Sequence, residues 1–327
     1  MKTVLLSGLT ACFLSIVGGL VFIPALKKLK AGQPILKYVE EHKDKGGTPT
    51  MGGLFFITSA VVSYFIFDGS YGRTSLVAVS IGLAFMSVGF LDDFIKIKFK
   101  KNEGLKAYQK ILFQTAIAVI AGFFAYKSGH TDFYIPFTSA TVNFGVFTVP
   151  FTALIFIAIT NSVNLTDGLD GLAGSVSATY LVAIAAVTVQ QLTYFGQPAV
   201  QQGEAEGLII LCACLVGAIL GFLIFNVNKA SAFMGDTGSL SLGGFLGAIS
   251  IFTSNSFYIP VIGVMFVLSS VSVIIQVLHF KRTGKRVFLM APFHHHLQKK
   301  GLSEGKISFI YSLITGIIGL VCLISYF

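Results

Sequence analysis

Five aspartates stand in three short segments rich in glycine and small polar residues. Asp92 and Asp93 lie in Gly89-Phe90-Leu91-Asp92-Asp93-Phe94, Asp167 and Asp170 between Asn161 and Gly171, and Asp236 between Phe233 and Ser239. Carboxylate oxygens on backbone that glycine lets approach closely suit Mg²⁺, which keeps several waters and takes one or two carboxylates plus substrate phosphates. Any one of these aspartates could instead cap a helix, Asp236 above all. Five together repel one another unless a cation binds among them. An EF-hand is excluded because Asp167 to Asp170 lacks the alternating ligands and the distal glutamate, and no segment carries the lysine of a Walker A loop.

Basic and imidazole groups accompany the acids. Lys45 precedes Gly46-Gly47-Thr48-Pro49-Thr50, where a mobile ammonium could meet a phosphate or a base carbonyl. Thr48 either N-caps the next helix, with Pro49 in its first turn, or touches substrate. His294, His295 and His296 are consecutive. Neighbouring side chains point in different directions, so at most two could share a zinc ion, and hydrogen bonding to phosphate oxygens is the better use. This set suits phosphoryl transfer. Two unit charges about 4 Å apart repel by roughly 4 kcal/mol at an effective dielectric of 20, so a divalent ion must span the phosphates while a carboxylate orients the nucleophile or takes its proton. On a helix Asp92 and Asp93 point about 100° apart and can hold separate roles.

The elements that carry these residues are apolar. Of 327 residues 54% are hydrophobic and 11% charged, far from the roughly 25% charge of soluble domains. Runs of about 20 apolar residues span a bilayer as helices, which satisfy their own backbone. Ten such runs are predicted, at 4–26, 51–67, 75–91, 111–127, 147–163, 172–190, 207–225, 238–253, 257–279 and 307–326. The fold class is therefore an all-α, polytopic membrane protein of about ten transmembrane helices in a single domain, 1–327. The runs do not alternate in polarity as barrel strands do, and the first ends at Ile23-Pro24-Ala25 without a cleavage pattern, as an uncleaved span would.

The connections after odd-numbered runs hold 20 of the 23 Lys and Arg. The positive-inside rule places those connections, and all five aspartates, at the cytoplasmic face, with both termini extracytoplasmic. A net charge of +9 distributed this way signals topology; no basic module for a nucleic acid is visible. Cys12, Cys212, Cys214 and Cys322 sit inside apolar runs as small hydrophobes. Gly217/Gly221 and Gly243/Gly247 have the spacing of close helix contacts. A transporter would string ionisable groups along a path through the membrane, whereas these acids gather at one face.

At Thr48 to Gly53, Gly89 to Asp93, Asn161 to Gly174, Phe233 to Gly244 and Ala291 to His296 the chain resembles the phospho-N-acetylmuramoyl-pentapeptide transferases of bacterial cell-wall synthesis. The resemblance runs the whole length. It implies transfer of phospho-N-acetylmuramoyl-pentapeptide from UDP-N-acetylmuramoyl-pentapeptide to undecaprenyl phosphate, with release of UMP, in the bacterial cytoplasmic membrane. It also implies that Asp236 is the Mg²⁺ ligand, that Asp92 and Asp93 are essential acids near the lipid phosphate, and that Asp92 deprotonates or positions that phosphate. Whether Asp92 attacks covalently or assists direct attack stays open. Lys45, Gly168, Leu169, Asp170, Asn226 and Phe233 match positions around the uridine, Phe233 stacking on the base. Thr50, Asn164, Asp167, His294 and His295 match the catalytic and sugar-phosphate lining. A homodimer is compatible with it. An N-acetylglucosamine-1-phosphate transferase would share the aspartates but differ at Ala291 to His296. One departure follows the histidines: related chains usually carry a glutamate where Gln298 stands, and a Gly-Trp pair where this chain has Gly301-Leu302.

Overall fold

The computed structural model describes residues 1–28, 47–67, 72–99, 104–195, 199–227 and 229–324. Nine of the ten predicted runs each form one helix. In chain order the helices are α1 (Lys2–Lys28), α2 (Gly53–Phe67), α3 (Arg73–Phe99), α4 (Ala107–Lys127), α5 (Thr148–Thr166), α6 (Leu172–Phe195), α7 (Ala199–Asn226), α8 (Gly235–Phe252), the pair α9 (Tyr258–Ile262) and α10 (Val264–Thr283), then α11 (Phe293–Lys299) and α12 (Glu304–Ile324). Among the described residues eight helices are long and apolar enough to cross a bilayer, and α2 is apolar but shorter. The chain is an all-α, multi-pass membrane protein.

Three features depart from the sequence reading. The ninth run breaks at Gly263, whose φ of −83° and ψ of 24° end α9 and begin α10. α3 does not stop at its aspartates but continues two turns further, to Phe99, carrying Lys96 and Lys98. Between α4 and α5 a short antiparallel hairpin forms from β1 (Asp132–Tyr134) and β2 (Thr141–Asn143), with Phe133 opposite Val142. Phe133 is fully buried against Phe144 and Phe151. The hairpin is tied to the far end of α8 by Tyr134 N–H donating to Ser254 O at 2.9 Å.

Helices in lipid gain little from hydrophobic association and are held by close packing and interhelical hydrogen bonds. Both glycine pairs serve this purpose. A Cβ on Gly217 would overlap Gly8 O, and one on Gly221 would lie 2.6 Å from Cys12 O, so α7 rides directly on α1. Gly243 and Gly247 meet Thr160 and Phe156 of α5 in the same way. Ser15 Oγ of α1 donates to Ala218 O of α7 at 2.8 Å, and Ser241 Oγ of α8 to Gly82 O of α3 at 2.9 Å. α8 lies at the centre, every residue from Thr237 to Phe252 buried, with α2, α3 and α5 around it. The four cysteines are free, and Cys212, Cys214 and Cys322 are buried. One end of this bundle gathers the start of α2, the end of α3, the end of α5, the start of α8, α11 and the start of α12.

Candidate active site

α3 and α8 set the centre of that end. Asp92, Asp93 and Asp236 each offer an oxygen within 4.8 Å of the others. The two neighbours on α3 take different partners, as their angular separation requires. Asp93 Oδ2 accepts from Thr237 N at 2.9 Å and Thr237 Oγ1 at 2.7 Å, which pins α3 to the first turn of α8. Asp92 Oδ1 accepts from Leu105 N at 2.8 Å. Gly235 makes the turn into α8 with a φ of +72°, and a Cβ there would lie 2.6 Å from Thr50 Oγ1 and equally close to Asp93 Oδ2. Asp236 does not cap α8: Met234 holds that position, and Asp236 Oδ1 accepts from Asn164 Nδ2 at 2.7 Å.

Two lysines that the sequence reading passed over complete the cluster. Lys96 Nζ lies 2.6 Å from Asp92 Oδ2, 3.8 Å from Asp93 Oδ1 and 3.1 Å from Asp236 Oδ2. Lys110 Nζ, from α4, is 3.4 Å from Asp92 Oδ1 and hydrogen-bonds Asp236 Oδ2. The ammoniums offset part of the mutual repulsion expected of the acids, and three carboxylates against two ammoniums leave a net negative site. Lys96 could have been found by continuing α3 past Asp93, since it stands three and four residues beyond the two acids. Lys110 carries no such local signal.

The same cluster fits a divalent ion. Around Mg²⁺ adjacent oxygens lie about 3.0 Å apart and opposite ones about 4.2 Å, from ligand distances near 2.1 Å, so the three carboxylates, with oxygens within 4.8 Å of one another, would draw together around the ion. A cation already lodges there in the form of the Lys96 ammonium. Among the described residues Asp93 Oδ1 accepts no hydrogen bond.

A cavity of about 280 Å³ opens beside Asp236, lined by Thr50, Lys96, Asn164, Asp167, Gly168, Leu169, Asp170, Asn226, Phe233 and Gly235. It thus joins eight of the predicted site residues to Asp236. Lys45 lies outside the described residues. Thr48 does not cap α2, which starts at Gly53; its hydroxyl faces Ala230 O at 3.4 Å. Thr50 Oγ1 is buried without a partner at the cavity wall. Asp170 and Asn226 shape the loops. Asp170 Oδ2 accepts from Ala230 N at 2.9 Å, and Asn226 bridges Gly171 N at 3.0 Å and Ala232 O at 2.9 Å. Phe233 is held on both sides, its N–H by Pro49 O and its carbonyl by Gly52 N–H, each at 2.8 Å. Asp167 ends α5 with its carboxyl pushed up to about 8, by burial first and then by the charges of Asp236, Asp93 and Asp170.

α11 brings the histidines to this loop. A Cβ on Gly168 would overlap His294 Nε2 and lie 3.0 Å from His295 Nε2, so only glycine admits the two rings. His294 is fully buried, and neither ring nitrogen has a hydrogen-bond partner. Burial, with His295 adding to it, pushes its imidazole down to about 3. It is therefore neutral near pH 7. His296 turns away and accepts from Leu289 N at 3.2 Å.

The sequence profile of glycosyl transferase family 4 matches residues 75–254, a stretch that contains all five aspartates. A protein of Clostridium novyi (strain NT) is 40% identical over 329 residues, covering 100% of this chain and 97% of its own length. One from Clostridium perfringens (strain 13) is 43% identical over 298 residues, 91% of this chain and 90% of its own. One from Clostridium acetobutylicum is 39% identical over 327 residues, 99% of each. All three bear the name phospho-N-acetylmuramoyl-pentapeptide-transferase. With the acids, loops and histidines in the arrangement described, the chain belongs to the phospho-N-acetylmuramoyl-pentapeptide-transferase family, within glycosyl transferase family 4.

Proposed function

We propose that this protein transfers phospho-N-acetylmuramoyl-pentapeptide from UDP-N-acetylmuramoyl-pentapeptide to undecaprenyl phosphate, giving the first lipid-linked peptidoglycan precursor and UMP. The carrying observation is the convergence of Asp92, Asp93 and Asp236 from α3 and α8 on one cation-sized space beside a polar cavity. A phosphate oxygen of the lipid attacks the phosphorus bonded to the sugar, the bridging P–O bond breaks, and UMP departs with the electron pair. Asp236, aided by Asp92 and Asp93, would hold Mg²⁺, which when bound neutralises charge on the phosphates.

The chain's own residues do the positioning. Asp92 receives the proton of the lipid phosphate or orients it, and Lys96 and Lys110 balance the incoming anions. Asp167, Gly168, Leu169, Asp170, Asn226 and Phe233 embrace the nucleotide, while Thr50, Asn164, His294 and His295 line the path of the sugar phosphate. The distribution of Lys and Arg supports a cytoplasmic site in the bacterial cell membrane, with ten spans in one catalytic domain and both termini outside.

Purified full-length protein with Mg²⁺ and polyprenyl phosphate should release UMP from UDP-N-acetylmuramoyl-pentapeptide, and Asp236→Ala should abolish release. Equal release from UDP-N-acetylglucosamine, or release without the lipid, would refute the assignment.

A further inference from the structure

Gln298, the residue that departs from related chains, lies one helical turn beyond His295 on α11. His295 Nδ1 is 3.1 Å from Gln298 Oε1, and Gln298 Nε2 donates to Glu304 Oε1 at 3.3 Å. The other oxygen of Glu304 accepts from Asp170 N at 3.0 Å. The four residues thus form one chain of hydrogen bonds from α11, through the start of α12, to the loop that follows α5.

The direction of that chain is determined at its acidic end. An ionised carboxylate only accepts, so the amide nitrogen of Gln298 must face Glu304 and its carbonyl oxygen must face the imidazole. A carbonyl oxygen also only accepts. His295 Nδ1 therefore carries a proton in both charge states of the ring, and Nε2 becomes the atom at which a proton comes and goes. Nε2 is the nitrogen that abuts Gly168, on the wall of the cavity.

We propose that Gln298 is a positioning residue that locks His295 in its Nδ1–H tautomer, so that the neutral ring keeps its lone pair on Nε2, the nitrogen nearest Gly168. In that form Nε2 accepts hydrogen bonds and does not donate them. It donates to a phosphate oxygen only after the ring has taken a second proton. Among the described residues, the other titratable groups near this part of α11 are His294, 4.4 Å away between ring centroids, Glu304 and Tyr311 of α12, and Asp167 and Asp170 of the loop. The tautomer does not depend on the transfer reaction proposed above, and its test needs no turnover.

Nitrogen-15 NMR of the full-length protein labelled at histidine, with His295→Asn to assign the signals, reads the tautomer directly. Wild type should show a pyrrole-type Nδ1 and a pyridine-type Nε2 for His295. Gln298→Leu should shift the ring toward the Nε2–H form that unconstrained imidazole prefers in water. Gln298→Glu, which retains an acceptor, should keep Nδ1 pyrrole-type while the ring moves toward the doubly protonated state. A pyridine-type Nδ1 in wild type or in Gln298→Glu would overturn the proposal, as would a Gln298→Leu spectrum with the wild-type pattern.

Discussion

Removing the Lys110 ammonium should make the acidic cluster bind divalent cations more tightly. Lys110 Nζ lies 3.4 Å from Asp92 Oδ1 and hydrogen-bonds Asp236 Oδ2, so it competes for the oxygens a metal would use. A unit charge about 4 Å from a divalent ion repels it by roughly 8 kcal/mol at an effective dielectric of 20, and by about 2 kcal/mol even in bulk water. The lysine is 21% exposed and can swing toward solvent, which argues for the screened end of that range. Lys110→Met should then tighten Mn²⁺ or Mg²⁺ binding by about tenfold or more, given that roughly 1.4 kcal/mol is a factor of ten. Lys110→Arg, which keeps the charge, should stay near wild type. Titration of full-length protein with Mn²⁺, followed by electron paramagnetic resonance and competed with Mg²⁺, measures this without substrate. Unchanged or weaker binding in Lys110→Met would refute the view that lysine and metal share one set of oxygens. Turnover should fall in the same variant, because the ammonium that balances incoming phosphates is gone.

Gly168→Ala puts a methyl where His294 Nε2 stands, an overpacking expected to cost about 1–3 kcal/mol; UMP release should drop at least about tenfold for the upper part of that range, with a lower thermal midpoint. Asp167→Asn should stabilise the metal-free protein increasingly as pH rises. The folded carboxyl is raised to about 8 from the ordinary 3.8 of an aspartate, so wild type loses stability as pH climbs through that window while the amide does not. Thermal midpoints of the pair at pH 5 and pH 8 should diverge, and a constant gap would count against the burial argument. Gly221→Val would meet Cys12 O and the Ser15 side chain, so α1 should separate from α7 and melting should shift down by several degrees.

The apolar runs were legible because length and composition alone decide what can cross a bilayer. The acids were legible because each is costly near lipid and stands among glycines. What escaped depends on registry between helices. That Lys110 on α4 meets Asp236 on α8 follows from how the two helices sit side by side, and no local pattern encodes it. The break at Gly263 was hidden because glycine is common in membrane helices and usually leaves them intact. The hairpin strands, three residues each, are too short to show alternation. Thr48 had the composition of a cap, yet Phe233 N–H and Gly52 N–H bond this stretch to the chain before α8, so it runs extended past the expected start of the helix.

α8 carries Asp236 in its first turn and has no exposed residue from Thr237 onward. Its neighbours are other helices on every side, so acyl chains do not touch it, and changes in membrane thickness or lipid composition reach Asp236 only through the surrounding ring. Variation along this helix is consequently governed by volume: a swap of one small residue for another of equal size is tolerated, whereas a larger apolar residue, harmless on a lipid-facing helix, would push Asp236 out of register.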